Sequence, residues 1–382
     1  MKRNMKTEYV ASMDAIRFSP EEKAAMAQGL VARMEETTMK NKTMTGRKLV
    51  LIAAAAAMLL MMLTGAAVFT RWSKSAQNRY NPSEDVKNQA QDSGLSVMLE
   101  ETKNAENSKE VLSVTDQGVT ITAVQTIVDN YQAEIIFRVE GFELSEGQIP
   151  SVWPNITIDG QPDFYSMQNG GFYHGTTVNK DGEWVYISTG EPVQFRDDEY
   201  QSAILDFVAD DGSLEYTHHI TFDEADGRWL NKEIVVTFRS INVQSDKAGK
   251  DIPLVKGKWE LRWTLTGTED SVTVTPNAEI GNSGVILLEA VIGQKTVKAR
   301  YQLSEDWEGW DELVEMPQSV LGVRMKDGSE YRCGSGTGGF EDREKMVYFT
   351  LFDIYDGILD ISQVESLMFR DETGETVYIP IA

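Results

Sequence analysis

Val119-Thr-Ile-Thr-Ala-Val-Gln-Thr-Ile127 and Ala133-Glu-Ile-Ile-Phe-Arg-Val-Glu140 decide the fold. Both stretches favour β-branched and aromatic residues, and Asp129-Asn130 between them supplies a turn, so they read as consecutive antiparallel strands. Further strand candidates follow at 184–189, 203–208, 214–222, 233–243, 257–266, 284–292, 297–303, 321–325, 346–351 and 365–369. Most are bounded by Asp-Gly turns, as at Asp159-Gly160, Asp181-Gly182, Asp211-Gly212, Asp226-Gly227 and Asp327-Gly328. Short strands with this punctuation and hardly any helical periodicity predict a mainly β architecture of one or two antiparallel, immunoglobulin-like sandwiches. The interruption between Gly267 and Gly284 divides them into residues 111–270 and 271–382.

Moving outward toward the N-terminus, the pattern changes twice. Residues 70–110 are rich in Asn, Gln, Ser, Lys and Glu and read as a polar stalk, helical from Ser83 to about Lys103. Before them, Leu49 to Phe69 form 21 consecutive uncharged residues. As a helix this run is about 31 Å long, the thickness of a bilayer's hydrocarbon, so a single transmembrane helix over 49–69 is expected. A cleavable signal peptide does not fit, because 48 residues precede the run and signal h-regions span only about 7 to 15 residues.

Charge sorts the two sides. Residues 1–48 hold ten Lys or Arg against six Asp or Glu, a net +4; the whole chain is −24, which leaves −28 for residues 70–382. The basic segment is expected in the cytoplasm and the acidic β region outside. Such an acidic domain is repelled by nucleic acid, so its partners are expected among proteins, peptides, cations or glycans. Cys333 is the only cysteine, so no intramolecular disulfide staples the domain.

The cytoplasmic segment carries one clear element. Ser19, Pro20 and Glu22 form an N-cap, a first-turn proline and the acid of a capping box. Behind them Met26, Leu30, Val31 and Met34 recur at spacings of three and four, giving an amphipathic helix with an apolar stripe. A 48-residue segment with so few apolar residues builds no core of its own, so the stripe either meets a partner or stays partly disordered, the plainer alternative being a passive juxtamembrane anchor.

Catalytic patterns fail on context. Gly334, Gly336 and Gly339 have dinucleotide-fingerprint spacing, but no βαβ pattern surrounds them and a flexible hairpin loop is expected. The histidines are His174, His218 and His219; the adjacent pair on a strand must face opposite ways, and with Cys333 they match no zinc spacing. Acidic clusters occur at Asp197, Asp210 and Asp223; the last lacks the alternating ligand positions and closing glutamate of an EF-hand, and a solvated turn is expected there. Trp153, Trp184, Trp307 and Trp310 are weighed as a sugar-stacking platform and expected mostly in the core. No catalytic, cofactor or metal residue is therefore assigned.

In its order of parts the chain resembles the Gram-positive membrane proteins known as negative effectors, or anti-sigma factors, of extracytoplasmic-function sigma factors. The likeness rests on the capped helix after Ile16-Arg-Phe-Ser-Pro20, the run from Leu49, the strand entry Ser113-Val-Thr-Asp-Gln-Gly-Val-Thr-Ile-Thr122, and Gly257-Lys-Trp-Glu-Leu-Arg-Trp263. The resemblance implies a cytoplasmic segment that holds a sigma factor at the membrane and an outer domain, of unknown function, that senses an envelope signal. Residues 1–48 contain neither His nor Cys, unlike the zinc class of anti-sigma domain. Any sigma contact would therefore be of the helix-in-groove kind. The alternative expectation is an anchored envelope module that binds glycan or peptide and plays no part in transcription.

Overall fold

The computed structural model describes residues 72–99, 110–145, 148–162, 167–178, 183–187, 189–194, 207, 212–222, 229–244, 251–304, 319–355, 357–371 and 373–381. The run at 49–69, the capped helix with Met26, Leu30, Val31 and Met34, the acidic clusters, and Trp307 and Trp310 lie outside those residues. Among the described residues no helix is long and apolar enough to cross a membrane.

The described chain is mainly β, and every strand pair in it is antiparallel. Helices α1 (Lys74–Tyr80) and α2 (Glu84–Asp92) come first, followed by strands β1 (Ser96–Met98), β2 (Ser113–Asp116), β3 (Val119–Val128) and β4 (Gln132–Glu140). With β7 (Met167–Phe172) and β10 (Leu214–Thr221) these strands form one sheet, in the order β1-β3-β4-β10-β7 with β2 also on β3. A second sheet joins β5 (Pro150–Ser151), β6 (Asn155–Ile158), β11 (Lys232–Gln244) and β12 (Asp251–Leu265), and β8 (Thr176–Val178) pairs with β9 (Trp184–Tyr186). The third sheet takes β13 (Ser271–Val274), β14 (Ala278–Glu279), β15 (Ile286–Gly293), β16 (Thr296–Gln302), β17 (Val320–Met325), β18 (Glu330–Asp342), β19 (Val347–Ile354), β20 (Val364–Arg370) and β21 (Thr376–Pro380).

The first two sheets share one apolar core, and the strand pattern shows why. In β12, Trp259, Leu261, Trp263 and Leu265 are buried while the residues between them are more exposed, the period of two that a half-buried strand requires. Phe137 of β4 meets Phe238 of β11 edge-on at 5.1 Å, and the Trp259 indole donates to the Val119 carbonyl at 2.9 Å. A separate core runs through the third sheet, centred on Tyr301, Leu367 and Phe369. Trp72 to Ala382 nevertheless forms one compact unit.

β4 is buried on both faces, which is why Ala133-Glu-Ile-Ile-Phe reads as a nearly unbroken apolar run. Ala133, Ile135 and Phe137 face the shared core; Ile136 belongs to a third cluster with Trp72, Ala76, Tyr80, Ala90 and Leu95 of the helical segment. In β3 a bulge between Ala123 and Gln125 resets the alternation, so Ile121 and Ala123 point to the core and Gln125 and Ile127 to the helices.

This corrects the reading of residues 70–110 as a stalk. Residues 72–99 lie on the β domain, because Trp72, Ala76, Tyr80 and Ala90 supply an apolar stripe that the composition of the segment as a whole conceals. The helix expected from Ser83 to Lys103 stops at Asp92, since Gly94 turns the chain at φ 78° and Ser96–Met98 then pairs with β3.

The glycine fingerprint is a second correction. Gly334, Gly336 and Gly339 lie within strand β18, paired to β19, instead of in a hairpin loop. Their smallness has a packing cause: a Cβ on Gly336 would run into the Leu351 carbonyl and the Phe352 ring.

Gly141 shows a stricter need. Its φ is 77°, and a Cβ there would strike the Gly118 carbonyl, in the turn where Gln117 and Gly118 both take positive φ. Gly141→Val should therefore destabilise the domain by roughly 2 to 3 kcal/mol, from left-handed strain plus the clash. A urea midpoint equal to that of the parent chain would count against this register.

Candidate functional site

The densest chemistry among the described residues lies beneath α1, where the first and third sheets meet. α1 is only seven residues long, and a helix that short does not hold itself together in water. It is fixed at both ends instead. At the start, the Glu215 carboxylate of β10 accepts from the backbone N–H of Lys74 at 3.0 Å and of Ser75 at 2.7 Å, and the Gln125 side chain accepts from the N–H of Ser73. A carboxylate at a helix N-terminus meets free N–H groups and the positive end of the dipole together.

At the other end Arg79 and Tyr80 reach into a buried network. The Tyr80 hydroxyl donates to Oε2 of Glu134, which stands on the α1 side of β4. Directly across the strand pair from Glu134 is His219 of β10. Arg79 donates from Nη1 to His219 Nε2 at 2.8 Å and from Nη2 to Asp353 Oδ2 of β19 at 3.0 Å. Because arginine only donates, the imidazole accepts at Nε2 and carries its proton on Nδ1, 3.7 Å from the Glu134 carboxylate.

Lys295, in the β15–β16 turn, completes the set from the third sheet. Its ammonium lies 3.9 Å from the centre of the Tyr80 ring and donates to the Ile354 carbonyl at 2.6 Å. Asp129, in the β3–β4 turn, ties that turn to the β15–β16 turn. Its carboxylate accepts from the N–H groups of Tyr131, Gln132 and Lys295 and from the Thr296 hydroxyl.

Burial sets the protonation of these groups. Desolvation lowers His219 to about 4, with Glu134 opposing and Arg79 and Lys295 assisting, so the imidazole is neutral at pH 7. Burial also lowers Lys295, to about 8. For Glu134 desolvation pulls upward, yet the positive groups around it and the Tyr80 hydroxyl hold its carboxyl below the ordinary value. Since His219 is neutral, the cations responsible at neutral pH are Arg79 and Lys295. Burial raises Asp353 and Asp129 instead.

Beside the network opens a cleft of about 320 Å³, lined among others by Arg79, Asn169, His219, Ser335, Asp353 and Tyr355. Four atoms of the network have no hydrogen-bond partner among the described residues: Arg79 Nε, His219 Nδ1, Glu134 Oε1 and Asp353 Oδ1. A buried polar atom left unpaired costs roughly 1 to 3 kcal/mol, and four of them gather at this one junction.

The structure places some sequence candidates here and others elsewhere. His218 and His219 do face opposite ways, His218 toward Tyr216 and Gln168 and His219 toward Arg79. His174 stacks on Trp184 at 6.0 Å, and Cys333 is half-buried in β18. Trp153 is 68 % exposed, with its indole N–H on Asp251, so it is no core residue. Arg79, Glu134, Lys295 and Asp353 were not apparent from sequence. The available signal was Glu134, a single carboxylate inside an apolar strand.

No family model matches this chain, and no curated protein matches it. Among solved structures, a conserved domain protein from Bacillus anthracis is 15% identical over 72% of this chain and 89% of its own, with a TM-score of 0.38. The C-terminal domain of the AgI/II polypeptide BspA from Streptococcus agalactiae is 12% identical over 66% and 92%, with a TM-score of 0.12. Neither overlap is close enough to carry an argument about fold family or function.

Proposed function

We propose that this chain is a single-pass membrane regulator, an anti-sigma factor that binds an extracytoplasmic-function sigma factor through residues 1–48 and senses an envelope signal through its outer β domain. The outer region is read as two antiparallel, immunoglobulin-like units over 111–270 and 271–382. The observation that carries the reading is the seating of α1. The helix begins at Lys74, with four residues between it and the apolar run that ends at Phe69, and its last turn is held at the junction of two sheets. A change at that junction is thereby passed to the segment entering the membrane, as a free stalk would not allow. The capped helix with Met26, Leu30, Val31 and Met34 supplies the cytoplasmic contact, each fully buried anchor being worth about 1.5 to 3 kcal/mol before ordering costs.

The test is affinity capture of the sigma factor encoded beside it by the tagged full-length chain. Capture should succeed with the parent chain and be lost with Leu30→Asp, which puts a charge on the apolar stripe. If nothing is captured, or Leu30→Asp captures equally well, the regulatory reading fails.

The cleft also favours a second reading, an anchored module that binds an envelope glycan or peptide without any role in transcription. Deleting residues 1–40 separates the two, since only the module would keep its phenotype.

A further inference from the structure

The cleft at the junction has a defined chemistry. Arg79 and Asp353 stand together in its wall as an ion pair, and each keeps unused capacity: Arg79 Nε has no acceptor and Asp353 Oδ1 no donor among the described residues. Asp353 is 6 % exposed in its side chain, so it does not satisfy itself with bulk water. Both spare atoms are buried, and the pair meets the cleft through the Arg79 side chain, which is 28 % exposed; once a ligand opens the pair, its two halves are complementary to a molecule that carries both a carboxylate and an ammonium. Around them Asn169, Ser335 and Tyr355 offer neutral hydrogen-bonding groups at the mouth, all on exposed positions. A volume of about 320 Å³ is at the small end of ligand clefts. The strong negative charge of the chain repels polyanions, whereas a molecule of no net charge enters without that cost.

We propose that this cleft binds a small zwitterion of the amino-acid or short-peptide class, with its carboxylate on Arg79 and its ammonium on Asp353. Bound there, the ligand inserts into the ion pair that holds the end of α1 and changes how firmly α1 is seated. This rests on reading the β domain as a sensor, and it names what the sensor takes. Arg79 also donates to His219, whose other ring nitrogen faces Glu134, so the ligand carboxylate is felt by the whole network. Room for it depends on Gly334 and Gly336 of β18, where any side chain would press on Asp353 and Phe352.

The experiment is titration calorimetry on the detergent-solubilised full-length chain, with L-alanyl-L-alanine as probe and its N-acetylated form as control. The dipeptide should saturate, and the acetylated form, which lacks the ammonium, should bind about tenfold more weakly. Ser335→Trp fills the mouth from an exposed position and should weaken binding at least about tenfold while leaving the thermal midpoint unchanged. Asp353→Asn should remove the preference for the free ammonium; if that variant fails to fold, Ser335→Trp decides alone. A dipeptide that never saturates at tens of millimolar, or that binds Ser335→Trp as tightly as the parent, overturns the proposal. Sigma capture is a separate readout: a chain that captures sigma but binds no dipeptide sinks only the ligand assignment, and one that binds dipeptide but captures no sigma sinks only the regulatory reading.

Discussion

Glu134→Ala should cost the outer domain roughly 3 to 5 kcal/mol, the usual penalty for removing one side of a buried ion network. The size follows from what is left behind. Tyr80 loses the acceptor of its hydroxyl, and Arg79, Lys295 and the His219 ring lose the carboxylate that faces them, with Tyr80 and Lys295 both buried. Glu134 is only 1 % exposed, so solvent does little to screen the loss. A change of both polar partners should be milder: Tyr80→Phe with Glu134→Gln removes the hydroxyl along with the charge that answers it. Urea unfolding of the parent and both variants measures this directly. A loss under about 1 kcal/mol for Glu134→Ala would mean that the network is solvated in solution and does not hold α1.

Acid should unfold the domain earlier than its carboxylates alone would predict. Burial lowers His218 to about 3 and His219 to about 4, and it lowers His174 as well. In the unfolded chain a histidine titrates near 6.5. As pH falls from 6.5 toward 4, the unfolded state takes up protons that the native state refuses, so stability is lost with acidification. Each fully resisting histidine contributes a slope of about 1.4 kcal/mol per pH unit, and His218 and His219 together about 4 kcal/mol between pH 6 and 4.5. The depressed Glu134 adds its own loss lower down, as pH drops through its folded value. Asp129 and Asp353 act the other way, because their raised values let the native state accept protons first. Denaturant midpoints from pH 7 to 4.5 should fall steeply for the parent chain and much less for a His218→Gln, His219→Gln variant. Equal slopes for the two would show that the imidazoles are hydrated in the folded state.

The strands and the site differ sharply in how much of each could be read in advance. Residues 119–127, 133–140, 214–222, 233–243 and 257–266 were legible as strands from β-branched and aromatic runs bounded by turn residues, with a clean period of two in 257–266, and the observed β3, β4, β10, β11 and β12 contain or nearly coincide with them. β18 was missed because its glycines, chosen to clear Leu351, Phe352 and Asp353, resemble a loop when packing partners are unknown. The docking of α1 and α2 was missed for a related reason. The buried apolar residues of 72–92 are Trp72, Ala76, Tyr80 and Ala90, and polar neighbours dilute that stripe below notice.

The network was hidden more thoroughly. Arg79, Glu134, His219, Lys295 and Asp353 are spread over more than two thirds of the chain, and each alone resembles an ordinary surface charge. Only pairing brings them together: His219 faces Glu134 through the β4–β10 register, and Thr296 beside Lys295 faces Asp353 through β16–β19. His219 also looked unpromising by itself, since nothing in its neighbourhood in the chain hints that Arg79 will donate to it.

The fastening of α1 has a mechanical consequence. Tension applied at Trp72 along the chain falls first on the side-chain bonds of Ser73 to Gln125, of Lys74 and Ser75 to Glu215, and of Arg79 and Tyr80 at the other end of the helix, before it falls on the backbone hydrogen bonds that pair strand to strand. A short helix held by a few polar bonds and one narrow apolar stripe, above sheets laced by many backbone bonds, behaves as a shear pin. It gives way first and spares the structure behind it, so a modest pull undocks α1 and leaves the β core intact.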